Sequence, residues 1–154
     1  MARIDFHSQV NNKSLYSCRL IRKIMASPTP EMPMRHVVVV GPKDFLRQLD
    51  EQLWSFSATE FLPHAWGDDD FAAETPVVFV ESFEAEALDY LPHGDVLIHV
   101  GQRLPQSVEN LAARFPRIVE IVSTDEVDRQ AGRERYKAYR EQGHELHNFD
   151  QTGQ

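Results

Sequence analysis

A short segment near the end of the chain gathers side chains that could bind an anion. Between Arg129 and Arg140 there are five cations and one anion, Glu134, whereas the whole 154-residue chain has a formal charge of -8. The segment therefore carries +4, and the other residues together carry -12. Guanidinium and ammonium groups form charge-assisted hydrogen bonds with carboxylates and phosphates. This segregation of charge indicates a local site for an anionic partner.

Helical spacing places most of these cations on one face, since residues three and four positions apart are neighbours on a helix. This face, which we call the cationic stripe, consists of Arg129, Arg133, Tyr136, Lys137 and Arg140. A solvated face balanced by acidic neighbours is the ordinary alternative, but the alternating signs typical of such a face are missing. Tyr and Arg together are common in binding hot spots. The pattern favours a short acidic peptide with an aromatic end, or a nucleic-acid strand.

Catalytic and metal-binding signals are weak. The strand-to-helix junctions "VVVVGPKDFL" and "LIHVGQRLPQS" have one glycine each, and the chain has no P-loop and no GxGxxG. The "HELH" at His144–His147 places its histidines three apart instead of four. His64 lies near Asp68–Asp70, which could attract a hard cation, although such runs are typical of solvated loops. We predict no catalytic residue, cofactor or metal.

A second unusual stretch is "LWSFSATEFLPH", from Leu53 to His64. It presents Trp54, Phe56, Phe61 and Leu62 at the end of a helix and in the loop after it. Part of this set must belong to the core, and part of it could form a protein-binding patch. The sequence leaves both interpretations open.

Strands alternate with helices along the chain, which predicts an α/β fold with a largely parallel sheet flanked by helices. The predicted strands are 3–7, 35–41, 76–80, 95–100 and, as the last, 117–122; the predicted helices are 12–26, 42–53, 105–115 and 123–142. Ser123 is the expected N-cap of the last helix and Gly143 its C′ residue. We expect an irregular Pro-rich connection at 27–34 and a loop over 55–75.

The last helix needs an inner face as well as a cationic one. Its spacing assigns Val127, Ala131, Glu134 or Arg135, and Ala138 to the side that packs on the sheet. Beyond it, residues 144–154 read as a C-terminal tail, so residues 1–143 are predicted to form a single domain.

Composition is that of an ordinary globular protein, with 42% hydrophobic and 26% charged residues. Cys18 is the only cysteine, which fits a reducing compartment, and the first residues show no apolar signal region. The sequence has no apolar run long enough to span a membrane. These features predict a cytoplasmic protein without a membrane partner.

Two stretches resemble motifs of the chi subunit family of bacterial DNA polymerase III. They are "RERYKAYR" at Arg133–Arg140, and "LDEQLW" followed by "FLPH" within Leu49–His64. The resemblance covers most of the chain. It implies a single Rossmann-like domain without a P-loop, acting as a non-catalytic accessory subunit of the clamp-loader complex.

The resemblance also implies two partners. The acidic, phenylalanine-ended C-terminal tail of single-stranded-DNA-binding protein would bind Arg133, Tyr136 and Lys137, with Val122 as an apolar wall, and the remaining cations of the stripe, Arg129 and Arg140, would lie beside them. The psi subunit, or a repair helicase in its place, would bind Trp54, Phe61 and Pro63. Contact with DNA would then be only indirect. Direct binding of single-stranded nucleic acid through the cationic stripe stays the alternative.

Overall fold

The computed structural model describes residues 2–26, 35–55, 63–84 and 86–152. Within these ranges the strands are β1 (Arg3–Val10), β2 (Val37–Val40), β3 (His64–Trp66), β4 (Val77–Val80), β5 (Val96–His99), β6 (Arg117–Ser123) and β7 (Glu145–Asp150). The helices are α1 (Lys13–Met25), α2 (Lys43–Ser55), α3 (Glu86–Tyr90), α4 (Val108–Arg114) and α5 (Glu126–Glu141), and a 3-10 turn spans Ala72–Glu74.

All described strands are parallel and form one sheet in the order β3-β4-β2-β5-β6-β1-β7. The central strands β2, β4 and β5 are buried along their whole length. Their sequences are continuous apolar runs because a parallel sheet in an α/β fold is covered by helices on both faces. The predicted α/β class with a parallel sheet is confirmed.

Helices cover the sheet as two layers. The α1 and α2 side chains pack with alternate strand residues such as Val39, Ile98 and Ile121 in one hydrophobic cluster. Residues of α3, α4 and α5 pack with the intervening strand residues, among them Val38 and Ile118, in a second cluster. Within the described residues, no helix has the length and apolar character that crossing a membrane requires.

Two parts of the chain differ from the loops that we expected. The predicted loop over 55–75 contains β3 and the 3-10 turn, because the short segment His64–Trp66 pairs with β4 at the sheet edge. The short helix α3 was not predicted either; it has only five residues, too few to show a helical period. The Pro-rich connection and residues 56–62, which include Phe56 and Phe61, lie outside the described residues.

β6 is not the last strand, so that prediction was wrong. Gly143 ends α5 with a φ of 79°, a left-handed conformation that glycine adopts without strain. The chain then reverses, and Glu145–Asp150 forms the edge strand β7 beside β1 where we expected a tail. The strand is mostly exposed, so its sequence lacks the apolar run that revealed the buried strands.

The start and the buried side of α5 also differ from expectation. Asp125 is the N-cap, since its side chain accepts a hydrogen bond from the Asp128 N–H, whereas the Ser123 hydroxyl accepts one from the Asp125 N–H. Val127, assigned to the inner face, is 65% exposed. The buried residues are Asp128, Gly132, Arg135 and Tyr139. Polar partners inside the protein allow this mostly polar face to be buried.

Candidate functional site

A cleft between α5 and the ends of β1, β6 and β7 contains much of the predicted anion site. We call it the α5 cleft; its volume is about 290 Å³. It is lined by Phe6, Ser8, Gln9, Val122, Arg129, Gly132, Arg133, Tyr136 and Asn148. Four of the predicted residues, Val122, Arg129, Arg133 and Tyr136, therefore come together in one concave surface.

The floor of the α5 cleft is apolar because α5 lies close to β6. A Cβ atom on Gly132 would be 2.9 Å from Cγ2 of Val122, nearer than side-chain carbons normally approach. Glycine at this position leaves room beside the Val122 side chain. The Tyr136 ring meets the Phe6 ring edge-on, with a centroid distance of 5.1 Å, and extends the apolar floor along the helix.

The rim of the cleft carries two guanidinium groups that already share a carboxylate. Nη1 of Arg129 lies 3.3 Å from Oε2 of Glu126, and Nη1 of Arg133 lies 3.8 Å from Oε1 of the same side chain. The Glu126 side chain is 73% exposed, and exposed ion pairs contribute little to stability. The two arginines therefore already flank one carboxylate, that of Glu126, in a weak and exposed ion pair.

Backbone strain occurs at the other side of the cleft. Gln9 has a φ of 57°, the one positive φ among the described non-glycine residues, and the β1–β6 register shifts between His7 and Val10. Residues other than glycine, asparagine and aspartate rarely adopt this backbone conformation. Such strain is often found at functional sites. The bulge brings Ser8 and Gln9 to the cleft wall.

The remaining cations of the segment are placed differently from one another. Lys137 and Arg140 are exposed on α5, but neither lines the α5 cleft. Arg135 is fully buried and belongs to the core. Of the two residues assigned to the inner face at this turn, Glu134 or Arg135, the structure buries Arg135, which pairs with an internal carboxylate.

That carboxylate is Glu120, which anchors α5 to the sheet. Its Oε1 accepts hydrogen bonds from Nε of Arg135 at 2.8 Å and pairs with Nδ1 of His99 at 2.7 Å. Its Oε2 accepts one from the Tyr139 hydroxyl at 2.7 Å. Burial alone would raise the Glu120 pKa, but the charges of His99 and Arg135 and the hydrogen bonds from His99 and Tyr139 outweigh it and lower the pKa to about 2. The ionised network fixes the helix against β5 and β6.

A second ion pair fixes the beginning of α5. Nζ of Lys13 lies 3.0 Å from Oδ2 of Asp128, and the same oxygen accepts a 2.7 Å hydrogen bond from the Ser123 N–H. Both side chains are largely buried. With Glu120 holding the middle of the helix, Asp128 holds the turn that precedes Arg129. The cleft arginines thus project from a helix whose position is determined by buried charges.

The second predicted surface lies at the far end of the molecule, at the end of α2. Trp54 is 56% exposed, and its ring packs on His64 with a centroid distance of 4.7 Å. Nε2 of His64 pairs with Oδ1 of Asp50 at 2.8 Å, and Pro63 is exposed next to it. Trp54 and Pro63 are therefore close to one another on the surface. Phe61 is not among the described residues.

Four of the possible metal ligands of the sequence have other partners in the structure. His64 is committed to Asp50, and Oδ2 of Asp69 accepts a hydrogen bond from the Trp66 N–H. His144 accepts one from the Ala2 N–H, and His147 pairs with Glu145 in strand β7. Among the described residues no group of three potential ligands is close enough to hold a metal ion.

Family comparison agrees with the geometry. The family model described as DNA polymerase III chi subunit, HolC, matches residues 1–147. The chain belongs to this family. The matched range includes the surface around Trp54 and Pro63, which we call the Trp54 surface, and every residue that lines the α5 cleft except Asn148.

Two curated relatives carry the same name. The DNA polymerase III subunit chi of Pseudomonas aeruginosa is 31% identical over 152 residues, which cover 95% of this chain and 94% of the relative. The DNA polymerase III subunit chi of Haemophilus influenzae is 29% identical over 99 residues, 64% of this chain and 63% of the relative. The resemblance inferred from the two motifs is confirmed. The protein is a chi-type accessory subunit of the replication machinery.

Several residues of the α5 cleft were not predicted from the sequence: Phe6, Ser8, Gln9, Gly132 and Asn148. Phe6 belongs to the strand predicted over residues 3–7, and Asn148 lay in the expected tail. The one local signal was Gly132, because glycine inside a helix is unfavourable and often has a packing reason. The others reach the cleft only through the pairing of β1 with β6 and β7.

Proposed function

We propose that this chi-family chain is a non-catalytic adaptor. Its α5 cleft would bind the acidic C-terminal tail of single-stranded-DNA-binding protein. Its Trp54 surface, with Pro63 and Phe61, would bind the psi subunit or another replication or repair protein. The observation that carries the proposal is the pair Arg129 and Arg133 on the rim of an apolar floor built from Val122, Gly132 and Tyr136.

The chemistry of the cleft suits an acidic peptide that ends in an aromatic residue. Arginine forms strong, directional hydrogen bonds with carboxylates. The space beside Val122 can take an apolar ring, which gains free energy by leaving water. Lys137 and Arg140 lie farther along the same helix and can attract the acidic residues before the terminus without touching the floor.

The two surfaces are suited to simultaneous use. The Trp54 surface is at the β3 edge of the sheet, and the α5 cleft is at the β6-β1-β7 end. Four strands, β4, β2, β5 and β6, separate β3 from β1, and neighbouring strands lie about 4.8 Å apart. Partners bound at the two surfaces would therefore be separated, which is the geometry a linking subunit needs.

A binding titration tests the tail site. A fluorescein-labelled acidic peptide ending in Phe-COOH is titrated with the full chain and with Arg133→Ala, using anisotropy. Loss of a charge-assisted hydrogen bond should cost about 1.5–3 kcal/mol, roughly 10- to 150-fold in Kd. Arg19→Ala is the matched control, since Arg19 is an exposed arginine on α1, across the sheet.

The peptide without its terminal Phe and an oligonucleotide of equal length are the competitors. The adaptor proposal expects the truncated peptide to bind weakly and the oligonucleotide to leave the labelled peptide in place. Equal Kd values for Arg133→Ala and the unmodified chain would contradict the site. Displacement by the oligonucleotide would support the alternative in which the α5 stripe binds nucleic acid directly.

A further inference from the structure

A second cationic cleft lies on the opposite face of the sheet from the α5 cleft. We call it the α1 cleft; it has a volume of about 390 Å³ and lies between α1 and the β1–β7 strand pair. It is lined by Arg3, Asp5, His7, Tyr16, Leu20, Lys23, Ile24, Arg35, Arg117, Phe149 and Gln151. Among these lining residues are four cations and one anion, so the cleft is positive in a protein whose formal charge is -8.

The two clefts share their strands through side-chain alternation. Asp5 and His7 of β1 and Phe149 of β7 line the α1 cleft, whereas Phe6 and Ser8 of β1 line the α5 cleft. Successive residues of a strand point to opposite faces of the sheet. A ligand in the α1 cleft therefore touches none of the side chains that would hold an acidic tail.

A buried carboxylate fixes the cationic end of the α1 cleft. The Asp5 side chain is 2% exposed, with Nε of Arg3 at 3.0 Å and Nε of Arg117 at 3.5 Å from its two oxygens. Both contacts use the Nε atoms, and the arginine side chains are 50% and 37% exposed. Each guanidinium has five N–H donors. Asp5 can therefore orient the two groups while their terminal nitrogens face a ligand.

The other end of the cleft is a row of aromatic rings. The His7 ring lies 5.5 Å from the Tyr16 ring and 5.3 Å from the Phe149 ring, measured between centroids. Phe149 is stacked in turn with His147, with an interplanar angle of 23° and a centroid distance of 6.4 Å, and is 40% exposed. A phenylalanine that is 40% exposed and lies beside two histidine rings offers an aromatic surface on which another planar ring can pack.

The distance between the two ends suits a short nucleotide segment. Asp5, whose oxygens hold the two guanidinium groups, is two residues from His7 on β1, and a strand rises about 3.3 Å per residue, so cations and rings are separated by roughly 7 Å. Proteins that bind single strands combine a cationic groove for phosphates with aromatic rings for bases. The row of aromatic rings favours bases over an acidic peptide, whose carboxylates would use only the cationic end.

We propose that the α1 cleft is a contact site for single-stranded nucleic acid, with phosphates on Arg3 and Arg117 and a base stacked on Phe149. Lys23 and Arg35 add positive charge to the cleft. The footprint is one or two nucleotides, so binding by the isolated protein is weak, and log K falls with log salt by only about 0.7 per phosphate contact. This site goes beyond the proposed adaptor function, since it gives the protein a direct contact with the strand.

The test uses the full chain and a fluorescein-labelled oligo(dT) of about eight nucleotides at low salt. Phe149→Ala and Arg117→Gln should each weaken binding at least about fivefold, and Arg117→Gln should reduce the slope of log K against log salt by about 0.7. Arg103→Gln, which removes an exposed arginine that lines neither cleft, is the control and should change Kd less than about twofold.

Thermal melting of each variant accompanies the titrations, because Arg117 contacts the buried Asp5. Should Arg117→Gln fail to fold, Phe149→Ala and amide chemical shifts of the unmodified protein decide the matter. The proposal expects oligo(dT) to shift the amides of residues 145–151 at the β7 edge, with little change around Arg133.

Three results would overturn the proposal. The first is that oligo(dT) binds Phe149→Ala as tightly as it binds the unmodified chain and does not shift the β7 amide signals. Arg140→Gln or Arg133→Ala could weaken it as much as the cleft variants do, which would assign nucleic acid to the α5 stripe. An acidic peptide lacking aromatic residues could displace oligo(dT) and shift the same β7 amides, which would make the α1 cleft a peptide site.

Discussion

Gly132 of α5 and Val122 of β6 approach so closely that a Cβ atom on the glycine would lie 2.9 Å from the valine Cγ2. Val122 is β-branched and buried, so it has little freedom to rotate away. This close approach keeps the helix near the strand while leaving the space above Val122 open to the α5 cleft. Packing and the proposed binding site therefore depend on the same pair of residues.

Gly132→Ala should destabilise the fold and weaken binding of the acidic tail peptide. Overpacking against Val122 costs about 1–3 kcal/mol, and the better helix propensity of alanine returns up to about 1 kcal/mol. We therefore expect a net loss of about 1 kcal/mol in the free energy of unfolding, measured with urea. The double variant Gly132→Ala/Val122→Ala should show a favourable coupling energy of at least about 0.5 kcal/mol, because it removes the collision. Additive effects would mean that the two side chains do not interact as described.

Glu126→Gln should strengthen binding of the acidic tail peptide. Glu126 pairs with both arginines of the cleft rim, so a peptide carboxylate must displace it. Exposed ion pairs are worth about 0.2–1 kcal/mol, which corresponds to a gain of roughly 1.4- to fivefold in affinity. Glu134→Gln removes the same charge from an exposed site on the same helix outside the cleft, and anisotropy titrations should show a smaller gain for it. Equal gains in the two variants would assign the effect to net charge alone.

Trp54→Ala should weaken psi binding while leaving most of the protein's stability intact. The side chain is more than half exposed, so its removal should cost far less than the 3–5 kcal/mol of a core tryptophan. If Trp54 is an anchor for psi, the same change should cost at least about 2 kcal/mol of binding energy, since a few aromatic residues carry most interface energy. Calorimetric titration with purified psi measures the loss, and thermal melting measures the stability.

Tyr90→Ala is the control for Trp54→Ala, because Tyr90 is a strongly exposed aromatic residue on α3, away from the end of α2. It should leave psi binding and acidic-peptide binding unchanged. A large drop in melting temperature for Trp54→Ala would show that the ring supports His64 and the fold more than it supports a partner.

Glu120→Gln should be strongly destabilising at neutral pH, and the effect should shrink in acid. Removing the charge leaves Arg135 buried without its carboxylate, which typically costs about 3–5 kcal/mol. The folded-state pKa of about 2 lies below the ordinary value of 4.5, so the stabilisation is fully present above about pH 4.5 and is lost as the pH falls towards about 2. Urea unfolding of both proteins across this range measures the difference.

The double variant Glu120→Leu/Arg135→Met completes that experiment. Replacing both members of a buried ion pair with apolar residues is often neutral or stabilising. This double variant should therefore be more stable than Glu120→Gln at pH 7. A stability difference between Glu120→Gln and the unmodified chain that stays constant from neutral to acid pH would contradict the assignment of an ionised Glu120.

The sequence by itself was sufficient to predict the α/β class, the buried central strands and the family. Runs such as Val37–Val40 are apolar without alternation because both of their faces are covered, and this pattern can be recognised in the sequence alone. The octapeptide Arg133–Arg140 identified the family because its residue types are local information. The same pattern placed the cations of α5 and Tyr136 on one helix.

Only the tertiary structure decided which of these cations can meet a partner. Arg135 and Arg133 differ by two positions on one helix, yet one pairs with buried Glu120 and the other lines the α5 cleft. Val127 is apolar but exposed, while Asp128 is charged but paired with Lys13. Residue type alone could not reveal this, because the cost of burying a charge depends on a partner elsewhere in the chain, 15 residues away for Arg135 and 115 residues away for Asp128. The contributions of β7 to both clefts arise in the same way, since an exposed edge strand is defined by the strand it pairs with and not by its own hydrophobic pattern.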